Sequence, residues 1–161
     1  MEVLPKRFAK YGLTLHPDKT KMIDLNSKRG GSGRSFDFLG FTHFLSSSRK
    51  GNKVLKRKTS SKRLTRAIMN ISEFIKLNRH TKLKDLIAAI NVKLRGHFSY
   101  YGITFNSRGI ILFYEQVKRC LYKWLNRRGG KPKWNWESFS KLIEQWAPLV
   151  KPFIAHSYTS S

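Results

Sequence analysis

The spacing of apolar residues changes character near residue 60. Downstream, Leu64, Ile68, Ile71 and Ile75 recur at steps of four, three and four, which draws one stripe along a helix running to about Leu77. Ser60 or Ser61 is a suitable N-cap for it. A second stripe, Leu83, Leu86, Ile87, Ile90 and Leu94, predicts a helix capped by Thr81 that continues through Phe98 and Tyr101 until Gly102 stops it. Ile110, Phe113, Val117, Leu121 and Trp124 define the buried side of a third helix, starting near Asn106 or Ser107. Asn135 is placed to cap a last one, with Phe139, Leu142, Ile143 and Trp146 inside and Pro148 as its stop. Amphipathic helices joined by short connections predict a bundle, and neither a sustained heptad nor an internal repeat competes with that reading.

Upstream of residue 60 the elements are shorter. Residues 2–10 read as the end of a helix, with Val3, Leu4 and Phe8 on one side, Lys6, Arg7 and Lys10 on the other, and Gly12 closing it. A chain that starts inside such a pattern looks like the cut edge of something longer. Leu13 and Leu15 alternate into a strand, His16-Pro17-Asp18 turns, and Lys19-Thr20-Lys21-Met22-Ile23 starts a second strand. Glycines and charges at 27–34 mark a loop; the run Gly-Gly-Ser-Gly lacks the Gly-Lys-Ser/Thr ending of a phosphate cradle and does not precede a helix. Phe36-Asp37-Phe38-Leu39-Gly40-Phe41-Thr42 suits a half-buried strand with a bend at Gly40, where another backbone or a ligand can come close. Lys50-Gly51-Asn52-Lys53 is a turn signal that joins 41–45 to 53–58 as a hairpin. The expected fold is α+β: short N-terminal antiparallel strands and a hairpin over 1–58, a helical bundle over 59–147, and an extended tail over 148–161.

Charge changes the picture more than composition does. With 40% hydrophobic and 13% aromatic residues, the 161-residue chain can bury one ordinary core or two small lobes. However, 33 Lys and Arg stand against 9 Asp and Glu, a net charge of +24 and a pI near 10.7. Such an excess repels itself in the compact state and attracts a polyanion, for which nucleic acid is the obvious chemistry. The competing polyanion, a membrane, finds no apolar run near spanning length and no signal peptide. Cys120, alone in the chain and set in a helical apolar pattern, reads as a buried thiol, and the expected location is cytoplasmic.

Some of the cations are ordered. From Arg49 to Arg66 there are nine basic residues and no acidic one. Lys53, Lys56, Arg57, Lys58, Lys62, Arg63 and Arg66 within that run form an expected phosphate-contact surface, although a solvated face is the ordinary reading of a single charge run. Arg119, Lys123 and Arg127, spaced by four, form a cationic ridge on the third helix that continues into Arg128, Lys131 and Lys133. Arg95 and Tyr100 complete the nucleic-acid-binding candidates; Tyr101 continues the apolar stripe and reads as core. Trp134 and Trp136 read as structural.

Catalytic chemistry finds little support in the residues themselves. The nine acids (Glu2, Asp18, Asp24, Asp37, Glu73, Asp85, Glu115, Glu137 and Glu144) are isolated, whereas nucleotidyl transfer by two metals needs converging carboxylates. Asp18 follows Pro17 in a turn, where local backbone hydrogen bonding accounts for it. His16, His43, His80, His97 and His156 are scattered without zinc spacing, and no nucleophile elbow joins Ser to His. No metal site and no cofactor is expected in this chain alone.

Four motifs, in order, carry a resemblance. Gly12-Leu13-Thr14-Leu15 with Lys19-Thr20-Lys21, followed by Phe36-Asp37-Phe38-Leu39-Gly40-Phe41, resembles the last two palm blocks of bacterial group II intron reverse transcriptase/maturases. Leu94-Arg95-Gly96-His97-Phe98-Ser99-Tyr100-Tyr101-Gly102 is similar to the signature of their maturase-specific, or thumb, region. Trp134-Asn135-Trp136-Glu137-Ser138-Phe139, with Pro148 and Ile154-Ala155-His156-Ser157, is similar to that region's closing segment. The family often has Trp-Ala-Asn after the glycine where this chain has His97-Phe98-Ser99.

The resemblance implies palm strands followed by a helical thumb. It implies group II intron RNA and RNA/DNA template-primer as partners, with an upstream reverse transcriptase half as a further one. Phe38, Leu39, Gly40 and Phe41 fall on the primer-grip block, and Lys19 on the late-palm Lys-Thr block beside the incoming nucleotide, where a cation has an auxiliary electrostatic role. The family's metal-binding aspartates, in a Tyr/Phe-Ala-Asp-Asp block, precede the first motif found here. Mg2+ is therefore expected only with the missing catalytic palm, and the chain alone is expected to be inactive as an RNA-directed DNA polymerase. Two other classes stay open: a stand-alone basic nucleic-acid-binding module, and a non-functional remnant of a disrupted gene.

Overall fold

The structure is a computed structural model that describes residues 3–16, 20, 23, 25, 35–48, 50–129 and 132–157. In chain order the elements are helix α1 (Val3–Ala9), strands β1 (Ser35–Phe38), β2 (Phe41–Ser47) and β3 (Lys53–Thr59), and helices α2 (Ser61–Leu77), α3 (Leu83–Tyr101), α4 (Ser107–Leu125) and α5 (Trp136–Gln145). This is an α+β fold in which an antiparallel sheet of order β1-β2-β3 leads into a helical bundle.

The core is the meeting of the helical stripes. Ile75, Ile90, Leu94, Phe98, Val117, Leu121 and Phe139 are fully buried in one cluster from α2, α3, α4 and α5, and Cys120 packs against its edge. Burying side chains of this size contributes about 1.5–3 kcal/mol each, the main return for ordering the helices. Trp146 departs from the expected stripe. Helix α5 ends at Gln145, the chain turns, and Ala147 and Leu149 enter the core while the indole is left 80% exposed.

Helix ends show where local chemistry was readable. Asn135 caps α5, its Oδ1 accepting from the Ser138 N–H at 2.8 Å. Gly12 adopts a φ of 68° while Leu13 and Gly12 donate to the Phe8 and Ala9 carbonyls, a Schellman stop for α1. Thr81 does not cap α3, whose N-cap is Lys82; its hydroxyl donates instead to the Asn78 carbonyl, closing the α2–α3 turn. Helix α1 itself buries no residue.

The sheet differs from expectation at its start. Leu13 and Leu15 lie in no strand, and Thr20 folds back with both its N–H and hydroxyl donating to the His16 carbonyl. Alternation marks a strand only when a neighbour completes its hydrogen bonds. Most of the expected partner at 19–23, and the loop at 27–34, lie outside the described residues. The β2–β3 hairpin forms as expected and runs longer, with Phe41 opposite Thr59 and Ser47 opposite Lys53 around a Gly51 turn.

Two asparagines attach the remaining pieces. Asn91 accepts from the Val150 N–H and donates to the Pro148 carbonyl, fastening the C-terminal segment to α3. That segment then pairs with the chain after α3, where Ala155 and His156 both donate to the Gly102 carbonyl. A Cβ at Gly102 would collide with the carbonyl oxygens of Phe98 and Phe153, so glycine is required by the close approach. Among the described residues no helix is long and apolar enough to cross a membrane.

Candidate nucleic-acid interface

Phe38-Leu39-Gly40-Phe41 is a hairpin turn, not a bent strand. Phe38 pairs with Phe41 across two residues, Leu39 and Gly40, with φ of 48° and 82°; two left-handed residues fit the type I′ turn that matches the twist of antiparallel strands. The usual Asn-Gly signal is absent, which is why the sequence reads as continuous strand. Three contacts hold the turn: Tyr100 Oη donates to the Leu39 carbonyl at 2.9 Å, the Ser60 N–H donates to the Gly40 carbonyl at 2.9 Å, and Phe41 packs on the Tyr100 and Tyr101 rings. Tyr101, as expected, packs against the core, and burial raises its phenol pKa. Phe38 and Leu39 project outward, 59% and 67% exposed.

Leucine in the left-handed region is costly because its Cβ crowds the following carbonyl. Leu39→Gly is therefore expected to stabilise the fold by about 1 kcal/mol, read as a higher urea midpoint. A lower midpoint would mean that the Leu39 side chain makes a contact worth more than the strain.

Beside this turn is a cleft of about 320 Å3 lined by Asp37, Phe38, Leu39, Gly40, Ser60, Lys62, Arg63 and Arg66. The three cations are exposed on the first turns of α2. Tyr100 and the turn residues thus share one neighbourhood with Lys62, Arg63 and Arg66, although 22 residues lie between Phe38 and Ser61 in the chain.

A second grouping lies along β3. Lys58 Nζ sits 5.5 Å from the Phe44 ring and Lys56 Nζ 5.4 Å from the Phe105 ring, within the range of a cation–π attraction. Lys53 is exposed and Arg57 half-buried on the same strand. A third grouping is at the far ends of α2 and α4, where Lys76, Lys123 and Arg127 all lie within 6 Å of the Trp124 ring and Trp124 Nε1 donates to Ser72 Oγ. Arg119 is exposed on α4 one turn before Lys123.

Other candidates stand apart. Arg95 is exposed on α3 and lines neither cleft. Arg128 turns inward, donating to the Thr81 carbonyl at 2.8 Å, and Lys133 lies over the Trp134 ring. Lys19 and Lys131, like Asp18 and Asp24, lie outside the described residues. Reading the sequence alone missed Arg108, Phe105 and Lys76. Arg108 was legible in principle, since it precedes Arg119 by three helical turns and so shares its face.

Glu73 and Glu137 are in ion pairs with Lys76 and Lys141. Among the described residues no three His, Cys, Asp or Glu side chains converge to hold a metal.

Residues 55–142, from within β3 into α5, match the family model of the group II intron maturase-specific domain. The chain belongs to that family. No curated protein and no solved structure matches the chain. In this maturase-specific domain the matched span takes in β3 from Leu55 onward, the basic start of α2 and the α4 ridge, whereas the Phe38–Phe41 turn precedes it. The departure from the family's usual signature at His97 and Phe98 is absorbed by packing. Phe98 is fully buried, and His97 stacks on Phe113 with ring centroids 3.7 Å apart.

Proposed function

We propose that this chain binds group II intron RNA, assists its splicing, and grips template-primer when a catalytic palm is supplied by an upstream reverse transcriptase half. The observation that carries the reading is the cleft at the β1–β2 turn, where exposed Phe38 and Leu39 meet Lys62, Arg63 and Arg66. A rigid two-residue turn tied to α2 and α3 offers a ledge for a strand end, and the cations offer contacts to successive phosphates without reading bases. The face of α4 bearing Arg119 and Lys123, with Arg127 in the turn just past its end, extends the backbone contacts. Mg2+ enters this scheme with the palm's carboxylates, and the present chain contributes position and charge.

The test is binding to a group II intron RNA and to an unrelated structured RNA across a salt series. Affinity is expected to favour the intron and to fall steeply with salt, since each neutralised phosphate contributes a log-log slope of about −0.9 on B-form duplex and about −0.7 on single strands. Replacing Lys62, Arg63 and Arg66 together by alanine is expected to flatten the slope by about 2–3. Equal affinity for heparin and both RNAs would remove the maturase reading and leave a stand-alone basic module.

A further inference from the structure

The connection between α3 and α4 places an aromatic ring where backbone sterics oppose it. Phe105 has a φ of 75°, a conformation that bulky residues rarely adopt and keep only when their surroundings enforce it. Here the surroundings do. Asn106 is fully buried with three hydrogen bonds, and the Thr104 N–H donates to the His156 carbonyl, so both neighbours of Phe105 are pinned. The ring is not recruited to the core: it stays 48% exposed at the edge of a cleft of about 430 Å3.

That cleft has a definite chemistry. Phe44 and Phe105 supply aromatic faces, Leu64 and Leu112 an apolar lining, and Lys58 and Arg108 the charge. Lys56 adds a cation over the Phe105 ring. Among the described residues no carboxylate lines it. Flat apolar surface ringed by cations complements a ligand that is planar at one end and anionic at the other. A base pair inside a duplex presents only its edges, so the occupant must be unstacked. The opening also adjoins the cleft at the turn: Thr59 and Ser61 line one, Ser60 and Lys62 the other.

We propose that the cleft between β3 and the start of α4 holds an unpaired nucleotide of the bound RNA, its base stacked on Phe105 and its phosphate held by Lys58 and Arg108. The proposal rests on the RNA-binding reading and adds a single-stranded subsite to it. The strained backbone presents the ring outward in advance of binding, and the ring's π-face accepts any base, so the subsite selects for strandedness and not sequence.

The test compares a short single-stranded oligoadenylate with a short RNA duplex, each fluorescently labelled, by anisotropy titration. Phe105→Leu, which keeps a β-carbon and apolar bulk but removes the π-face, is expected to weaken single-strand binding roughly 5- to 150-fold, the range of one lost base–aromatic stack. Duplex affinity is expected to stay within about twofold, and Phe105→Trp to restore strand binding. Phe105→Gly relieves the backbone and is expected to raise the melting temperature while still weakening strand binding, which separates recognition from folding. Unchanged single-strand affinity in Phe105→Leu, equal losses for strand and duplex, or failure of Phe105→Trp to restore binding would each overturn the subsite alone. A wild-type chain that binds neither RNA would overturn it together with the RNA-binding reading.

Discussion

Asn106→Ala is expected to destabilise the fold by roughly 3 kcal/mol or more, seen as a large fall in urea midpoint with little change in m. Asn106 is 1% exposed and joins three elements at once. Its Oδ1 accepts from the Thr59 N–H at 2.9 Å, and its Nδ2 donates to Thr59 Oγ1 at 2.8 Å and to the Tyr101 carbonyl at 2.7 Å. Truncation takes the Asn106 partner from the Thr59 N–H and hydroxyl, while the Tyr101 carbonyl keeps the Ile103 N–H at 2.9 Å, and each buried group so orphaned costs about 1–3 kcal/mol. Gly109 belongs to the same arrangement, since a Cβ there would press on the Asn106 carboxamide and Thr59 Oγ1. Thr59→Val, which removes only the hydroxyl, is expected to cost about 1 kcal/mol, and the double variant to show less than the sum because the partners are shared. A loss under 1 kcal/mol in Asn106→Ala would show that β3 and the bundle are coupled by apolar packing alone. Since the sheet's turn is fastened to the helices near this point, loosening it is also expected to weaken RNA binding at the turn cleft.

Stability is expected to fall as pH drops from about 6.5 to about 4, and His97→Phe to remove most of that fall. His97 stacks on Phe113 and packs near Tyr101, and its Nε2 is buried without a hydrogen-bond partner. Desolvation by burial lowers its pKa from 6.5 to about 4. Below pH 6.5 the unfolded chain takes up the proton more readily than the folded one, so the stabilisation is whole above 6.5 and is lost toward 4. The full depression corresponds to roughly 3 kcal/mol by linkage, and solvent reaching part of the ring trims this to about 1–2 kcal/mol. Phenylalanine keeps the stack and removes the buried nitrogen. The measurement is the difference in melting temperature between the wild type and His97→Phe across the pH series, which cancels the carboxylates common to both. A difference that does not change with pH would mean that the ring is hydrated or paired in the folded chain.

How much was legible in advance depended on the range of the forces involved. The stripes through Ile71 and Ile75, Ile90 and Leu94, Val117 and Leu121, and Phe139 and Ile143 were readable because helical periodicity is local. The Gly51 turn and the Asn135 cap were readable for the same reason: each satisfies backbone groups within a few residues of itself. Leu39-Gly40 was not, since a leucine accepts the left-handed region only when Tyr100 and Ser60, distant in sequence, fasten the turn. The basic candidates were legible as a charge surplus and not as a geometry. Arg128 shows the gap, being spent on the Thr81 carbonyl, while Arg108 and Lys76 join groupings that no run of charge announced.

By itself, then, the order of residues determined the helices and their inward faces, the long hairpin, the positive charge and the family, all consequences of short-range sterics, composition and motif. The tertiary structure decided which carbonyls Asn91 and Asn106 complete, why Trp146 faces solvent, where His97 loses its water, and that Phe105 stands strained beside Lys56 and Arg108. These depend on groups brought together from far apart in the chain, and desolvation and close packing exist only once they meet.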